Sequence, residues 1–333
     1  IAQADKLAVL AGTLPEVWNR KSLEAIVDGS MSLLELAGTM ATAAAAYRDA
    51  YSRRFGDHLR EVNLDHVKQA LGEDHFAYLQ GVAKGGVQMG YTGERTRRPG
   101  MMYASAKAYL DEAMQQLWKE FRQGRVLMFR DDGSPGLSSV VSSPFSRVTK
   151  QNTDRTVSTE GRFCHDLRDP VNAETDPDTV PRVVLNNHKE VARCALRWKA
   201  RYPGVPLGLA KRDVKGAFKL IWVSPDDVEL MATDLPGDPA GFAEAIIAVF
   251  LVLTFGWTGS PGHWQAWAEA IRVWHCSCAP LQSWRDGPEP FESFMVVDDG
   301  ALIEPRLGDR QELSAATWEG CLARLLGDRS LNE

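Results

Sequence analysis

Three aspartates at the ends of apolar segments are the residues of this sequence best suited to chemistry. Asp298 and Asp299 stand between two strand-forming runs within residues 291–305, and Asp213 ends another such run. Carboxylates that meet at strand ends can hold hard divalent cations such as Mg²⁺, which prefer oxygen ligands and position phosphate groups for transfer. The pattern therefore predicts a two-cation site for phosphoryl transfer.

Residues 291–305 predict a β-hairpin that carries carboxylates at its tip. Residues 294–297 and 301–303 are strand formers, and Asp299-Gly300 suits a tight two-residue turn. The alternative is that these aspartates are only turn residues, because the same Asp-Asp-Gly tripeptide recurs at 131–133, where a plain surface turn is expected.

Composition indicates an ordinary globular protein. The 333 residues exceed the usual size of a single hydrophobic core, which favours two or three lobes, and 44% of them are hydrophobic. The five cysteines show no paired CxxC spacing, which argues against a structural zinc site and a secreted disulfide framework. No signal peptide or membrane-length apolar run is recognisable, so we expect an intracellular protein, cytoplasmic or nuclear, without a membrane partner.

Positive charge is concentrated in the middle of the chain. The net charge is -6, yet residues 147–219 hold 15 Lys and Arg against 9 Asp and Glu, which leaves this window at +6. Alternating charged residues along 147–150 and 162–168 predict two strands paired as a ribbon with a basic face. A polyanionic partner fits this distribution better than the net charge suggests.

The remaining periodicity predicts a mixed α+β chain. Residues 76–93 are glycine-rich and predict a loop or linker, and Asp226 and Asp227 are expected at the surface. Trp264 and Trp267 are expected in the core, because they share an apolar helix face. Helices are predicted in residues 1–70, 103–125, 187–201, 260–274 and 313–326, and strands at 126–129, 144–150, 162–167, 206–214, 228–234 and 246–254.

Three of these segments, taken in order, resemble the palm motifs of reverse transcriptases, especially those of gypsy-like and DIRS-like retrotransposons. They are Asp213-Val-Lys-Gly-Ala-Phe218, residues 253–265 with their Gly-Trp-Thr-Gly-Ser-Pro-Gly turn, and Met295-Val-Val-Asp-Asp299. Upstream, residues 142–150 and residues 161–172 look like the fingers segment of the same family. The ordered set covers roughly the central and C-terminal two-thirds of the chain and is more specific than any of its members.

The resemblance implies a right-hand polymerase of α+β class, with an antiparallel palm sheet backed by helices. The expected segments are a helical N-terminal extension at 1–100, fingers at 101–180 and a palm at 181–333. Only 34 residues follow Asp299, so neither a thumb nor an RNase H domain is expected.

The resemblance also implies roles for individual residues. Asp213, Asp298 and Asp299 are the expected catalytic and metal-binding carboxylates, with the Val214 carbonyl as a further ligand, for two Mg²⁺ or Mn²⁺ ions about 4 Å apart. Phe218 matches the steric gate that excludes a 2′-hydroxyl. The remaining expected contacts are Lys150, Arg162, Phe255 and Gly256 for the nucleotide, and Arg168, Trp257, Gly259, Ser260 and Pro261 for the template and primer.

The function that follows is synthesis of DNA from an RNA or DNA template within a retrotransposon polyprotein. The partners implied are a template–primer duplex and deoxynucleoside triphosphates. Two alternatives stay open: a catalytically inactive relic that binds nucleic acid, and an RNA-dependent RNA polymerase. Phe218 and the lack of a Gly-Asp-Asp hairpin weigh against the second, and Val296 stands where the family usually has an aromatic residue.

Overall fold

The computed structural model describes residues 2–56, 64–65, 67–152, 154–238, 241–278 and 289–331. The predicted mixed α+β class is confirmed, with 48% helix, 19% strand and small antiparallel sheets. Helices in the described part are α1 (Ala2–Thr13), α2 (Arg20–Ala37), α3 (Met40–Phe55), α4 (Glu73–Gly85), α5 (Ala104–Lys107), α6 (Leu110–Arg122), α7 (His188–Arg201), α8 (Ser260–Ser277) and α9 (Arg310–Leu326). Its strands are β1 (Val126–Arg130), β2 (Phe145–Gln151), β3 (Val157–His165), β4 (Leu207–Asp213), β5 (Ala232–Leu235), β6 (Ile246–Phe250), β7 (Ser293–Val296) and β8 (Asp299–Pro305).

The chain divides into two compact units, each built from separate stretches of sequence. The first unit comprises residues 1–56, 85–180 and 222–260, and the second comprises the rest. The sequence analysis expected consecutive segments at 1–100, 101–180 and 181–333. Their assignment as N-terminal extension, fingers and palm stays a prediction. Among the described residues, no helix combines the length and the apolar character that crossing a membrane requires.

The first unit is organised around an antiparallel sheet in the order β1-β6-β5, whose strands are almost entirely buried. Helix α2 packs against β1 through an apolar stripe at helical spacing that includes Leu23, Ile26 and Val27. The side chain of Asn19 caps the start of α2, and Gly38, with a φ of +77°, ends it. Local sequence signals thus set the length of the helix that covers this sheet.

The predicted ribbon is present in the first unit as the antiparallel pair β2–β3. Arg147 lies on its inner face, where its guanidinium pairs with Glu112 at 2.8 Å and stacks on Tyr109. The opposite face is exposed and carries Lys150 and Arg162. Alternation along the strands therefore separates a structural arginine from exposed cations on the other face.

The second unit contains a three-stranded antiparallel sheet in the order β4-β8-β7. Helix α7 covers one face of this sheet, where Cys194, Trp198 and Tyr202 pack against Phe294 and Ile303. The start of α7 is fixed by a capping box, in which Asn187 and Glu190 bond to each other's backbone N–H groups. The prediction of a helix at 187–201 is confirmed.

Helices α8 and α9 lie on the other face of the same sheet. The Trp318 ring of α9 packs against Gly300, where a Cβ atom would lie 2.7 Å from the ring. The buried imidazole of His275 in α8 bonds to Ser293 of β7 and Ser314 of α9. The sheet is therefore backed by helices, as predicted.

Three sequence predictions are wrong. Residues 76–85 of the loop predicted at 76–93 lie in α4, because burial of Leu79, Val82 and Ala83 outweighs the low helix propensity of its glycines. Residues 228–234 are not one strand: Val228–Leu230 is a 3-10 helix, and β5 starts at Ala232.

Asp227, which was expected at the surface, is buried. Its carboxylate pairs with Arg95 at 2.6 Å and accepts the Met89 N–H at 2.7 Å, and this contact between distant stretches of chain explains its burial. Trp264 and Trp267 are fully buried, which confirms their predicted place in the core.

A buried ion pair holds α9 to the sheet and makes the first testable prediction. Glu304 and Arg310 are each 1% exposed, and their charged groups lie 2.6 Å apart. We expect Glu304→Gln to lower the free energy of unfolding by about 3–5 kcal/mol, since it leaves the Arg310 charge buried and unpaired. Urea denaturation measures the change.

The matched control is Glu319→Gln, which breaks an exposed pair with Arg212. Exposed pairs contribute little, so the expected loss is below about 1 kcal/mol. Equal losses in the two variants would contradict the prediction.

Candidate active site

Two strands and one turn of the second unit bring Asp213, Asp298 and Asp299 together. Asp213 ends β4 and is paired directly across the ladder with Asp299, the first residue of β8. Directly opposed residues of an antiparallel pair project from the same face, so these two carboxylates stand side by side. Asp298 precedes Asp299, and one carboxylate oxygen from each of the three residues lies within 4.8 Å of the others.

The hairpin turn lies two residues earlier than the sequence predicted. Val296 pairs with Asp299, so the turn is made by Val297 and Asp298 rather than by Asp299-Gly300. Gly300 is instead a strand residue that leaves room for the Trp318 ring. Because Gly300 has no side chain, the Trp318 ring of α9 can pack directly against it. With Gly300 in the strand, the turn lies at Val297 and Asp298, and Asp298 stands at its tip.

The turn is strained and is held by two hydrogen bonds. Val297 has a φ of +57°, a left-handed conformation that is costly for a β-branched residue. The Trp264 indole N–H of α8 donates to the Val297 carbonyl at 2.6 Å. The Val214 N–H donates to the Asp298 carbonyl at 2.9 Å. Both turn carbonyls are therefore fixed, which limits the positions open to the Asp298 carboxylate.

Lys211 adds a positive charge to the carboxylates. Its Nζ atom lies 2.9 Å from Asp299 Oδ1. The hydrogen bond and charge of Asp299 raise the pKa of Lys211, with smaller contributions from Asp213 and Asp298. Lys211 thus places an ammonium group at the edge of the carboxylate cluster.

The donor set fits a hard divalent cation. Three carboxylates offer the oxygen ligands that such ions prefer, and none of the three residues is buried. The sequence also predicted a ligand in the Val214 carbonyl; Val214 is buried, and this carbonyl accepts a long bond of 3.5 Å from the Ala217 N–H. Phe218, the predicted steric gate, is buried in the 3-10 helix Ala217–Leu220 that follows.

Lys150, Arg162 and Arg168 belong to the first unit. Lys150 and Arg162 are exposed on the outer face of the β2–β3 ribbon. Arg168 is also exposed and makes a two-pronged ion pair with Asp166, at 2.8 and 2.6 Å. This guanidinium holds the pKa of the Asp166 carboxyl well below its usual range. The nucleotide and template roles of these three residues stay predictions.

The predicted turn before α8 is shaped by close packing. Gly256 has a φ of +119°, and a Cβ atom there would lie 1.9 Å from the His165 carbonyl oxygen, so only glycine fits. The Asn172 side chain donates to the Gly256 carbonyl and accepts from the Thr258 N–H, both at 2.8 Å. Asn172 therefore fixes the path of the turn.

Within that turn, exposure separates residues that can meet a ligand from residues that support the fold. The Phe255 side chain is 56% exposed, whereas Trp257 is buried and donates its indole N–H to Thr175. Ser260 is also buried, and its hydroxyl donates to the Thr254 carbonyl. Gly259 packs on the Trp257 ring, and Pro261 lies in the first turn of α8. The predicted template contacts of Trp257, Gly259, Ser260 and Pro261 stay predictions.

Two residues of the site were missed from the sequence. Lys211 lies two residues before Asp213, and strand alternation places both on one face, so this signal was available. Trp264 was expected only as a core residue, and its bond to the turn carbonyl depends on where α8 lies beside the hairpin.

Comparison with models of known protein families gave no match to this chain, and comparison with curated proteins gave none either.

The strained turn makes a second testable prediction. Val297→Gly removes the Cβ conflict at positive φ, so we expect it to be neutral or to stabilise the fold by up to about 1 kcal/mol. The control is Val296→Gly, at the neighbouring residue in β7, where extra backbone freedom is expected to cost about 1 kcal/mol. Urea denaturation distinguishes the two. A loss in Val297→Gly as large as that in Val296→Gly would show that the turn is not strained.

Proposed function

We propose that this chain adds deoxynucleotides to a primer 3′ end on an RNA or DNA template, by nucleotidyl transfer at Asp213, Asp298 and Asp299. The observation that carries the proposal is that these carboxylates, distant in the sequence, lie within 4.8 Å of one another at one end of a sheet. The ordered motifs that resemble reverse transcriptases support the same reading. Assignment of the β4-β8-β7 sheet as a palm and the β2–β3 ribbon as fingers is part of this proposal.

The site residues provide fixed oxygen ligands. Bound Mg²⁺ or Mn²⁺ would supply activation of the attacking 3′-hydroxyl and stabilisation of charge on the leaving pyrophosphate. Asp213 is positioned by the β4–β8 ladder, and Asp298 by the two bonds to its turn, so both carboxylates are preorganised before substrate arrives. Partial exposure of the three residues leaves room for substrate phosphates to complete the coordination.

The exposed cations of the ribbon support binding of a polyanionic substrate. Lys150 and Arg162 are exposed on the ribbon face opposite Arg147, and the Arg147 guanidinium forms an ion pair with Glu112. Ammonium and guanidinium groups stabilise charge on phosphate oxygens, which suits the triphosphate role that the resemblance implies for them.

Primer extension is the direct test. On RNA and DNA templates with Mg²⁺ or Mn²⁺, we expect Asp213→Asn and Asp298→Asn each to lower the rate about 100-fold or more, because each removes a charged metal ligand from the site that stabilises the developing charge. The control is Asp132→Asn in the other Asp-Asp-Gly tripeptide, where Asp132 accepts the Ser134 N–H in a turn. The control is expected to extend primers like the parent, and equal rates in all four proteins would defeat the proposal.

Phe218 provides a test of sugar specificity. We expect Phe218→Val to raise ribonucleotide incorporation relative to deoxynucleotide incorporation, about tenfold or more, because a smaller side chain leaves room for a 2′-hydroxyl. The ratio of the two rates on one preparation is the measurement, since a partly unfolded fraction lowers both rates alike. A parent protein that prefers ribonucleotides would instead favour an RNA polymerase.

A further inference from the structure

The carboxylate of Glu112, on α6, contacts both strands of the β2–β3 ribbon. Its Oε2 atom accepts the Arg147 Nε–H of β2 at 2.8 Å, and its Oε1 atom accepts the Gly161 N–H of β3 at 2.6 Å. Hydrogen bonds to an ionised group are stronger than bonds between neutral groups. One side chain of α6 therefore holds the two strands together and fixes them to the helix.

The fit around this carboxylate depends on a glycine at position 161. A Cβ atom there would lie 2.5 Å from the Arg147 guanidinium, so the arginine can reach across the ladder only because Gly161 has no side chain. The Arg147 side chain is 6% exposed, stacks on Tyr109 and donates to the Thr159 carbonyl at 3.0 Å. Glu112 thus binds a guanidinium that is itself fixed on several sides.

Glu112 acts at a level of the ribbon where packing against the core has ended. The first ladder pair, Phe145 and His165, is buried and packs on the Phe250 ring of β6. Residues 148–151 and 159–160, in contrast, are exposed. The orientation of this outer part of the ribbon therefore depends on its contacts with the helices that precede β1.

The exposed cations of the ribbon stand next to the residues that Glu112 fixes. Arg162 directly follows Gly161, and Lys150 directly follows Thr149, the ladder partner of Gly161. Residues placed in this way on an antiparallel pair are diagonal neighbours on one face, close enough for long side chains to meet the same ligand. The position of Glu112 therefore suits control of where these two cations lie.

We propose that Glu112 is a positioning residue, which holds the ribbon so that Lys150 and Arg162 together bind the triphosphate of an incoming deoxynucleotide. Glu112 lies on the opposite face and does not touch the ligand; its effect reaches Arg162 through the backbone of Gly161. A ribbon that is already fixed does not have to be ordered by the ligand, which leaves more of the interaction energy for binding. The triphosphate part of this inference rests on the proposed function.

The test is the affinity for dATP, measured by isothermal titration calorimetry without divalent cations or primer. We expect Glu112→Ala to weaken binding about tenfold, because the ligand must then order the ribbon. The sign distinguishes position from charge, since removal of an acid would by charge alone tighten the binding of a polyanion. Glu112→Gln, which keeps the side-chain length and one acceptor oxygen, is expected to lose less affinity.

The matched control is Asp111→Ala, at the neighbouring acid of α6. Asp111 accepts the Trp18 indole N–H at 2.9 Å, and its variant undergoes the same change in charge as Glu112→Ala. We expect this control to bind dATP at least as tightly as the parent. Circular dichroism verifies that the variants are folded.

A double variant tests whether Glu112 acts through Arg162. In the Arg162→Met background we expect Glu112→Ala to change the dATP affinity less than about twofold, because the group to be positioned is absent. The same loss in both backgrounds would show a general effect on the fold and overturn the inference. So would an unchanged affinity in Glu112→Ala, an equal loss in Asp111→Ala, or a parent that does not bind dATP.

Single-stranded DNA is the second probe, because its phosphates offer the same chemistry. A loss in Glu112→Ala that is confined to DNA, with dATP binding unchanged, would contradict the triphosphate assignment. The expected dATP pattern in a parent that fails to extend primers would support this inference and contradict the proposed function alone. A parent that extends primers, with equal dATP affinity in Glu112→Ala, would contradict this inference alone.

Discussion

The antiparallel register of β4 against β8 is the constraint on which the candidate site depends. Because Asp213 stands directly opposite Asp299, two residues 86 positions apart in the sequence share one end and one face of a sheet. A slip by one residue would turn every side chain of β4 to the other face and separate the carboxylates. Packing prevents this slip, since α7 covers one face through Trp198, while Gly300 accommodates the Trp318 ring on the other.

The hairpin tip combines strain with concentrated negative charge, and the surrounding structure compensates for both. The conformation of Val297 is costly, and the Trp264 indole and the Val214 N–H hold it in place. Strain of this kind persists where neighbouring contacts determine the backbone, and it is concentrated at functional sites. The charge is offset by Lys211, whose place on the strand follows from the same register that gathers the carboxylates.

Local patterns determined much of the fold and the choice of candidate residues. Apolar periodicity gave α7, and alternating residues gave the β2–β3 ribbon with a basic face. The aspartates were identified as a set because each adjoins an apolar strand. These features depend on residues close together in the chain, where helix and strand periods act directly on the sequence.

Tertiary packing decided what those patterns left open. An Asp-Gly pair alone predicts a turn, but Gly300 lies under Trp318 and the turn moved to Val297-Asp298. Glycines alone predict a loop, but burial of one apolar face made 73–85 a helix. Asp227 is buried because Arg95, distant in the sequence, pairs with it. In each case long-range contacts of a few kcal/mol outweighed local preferences of about 1 kcal/mol or less, and only the folded chain brings those contacts together.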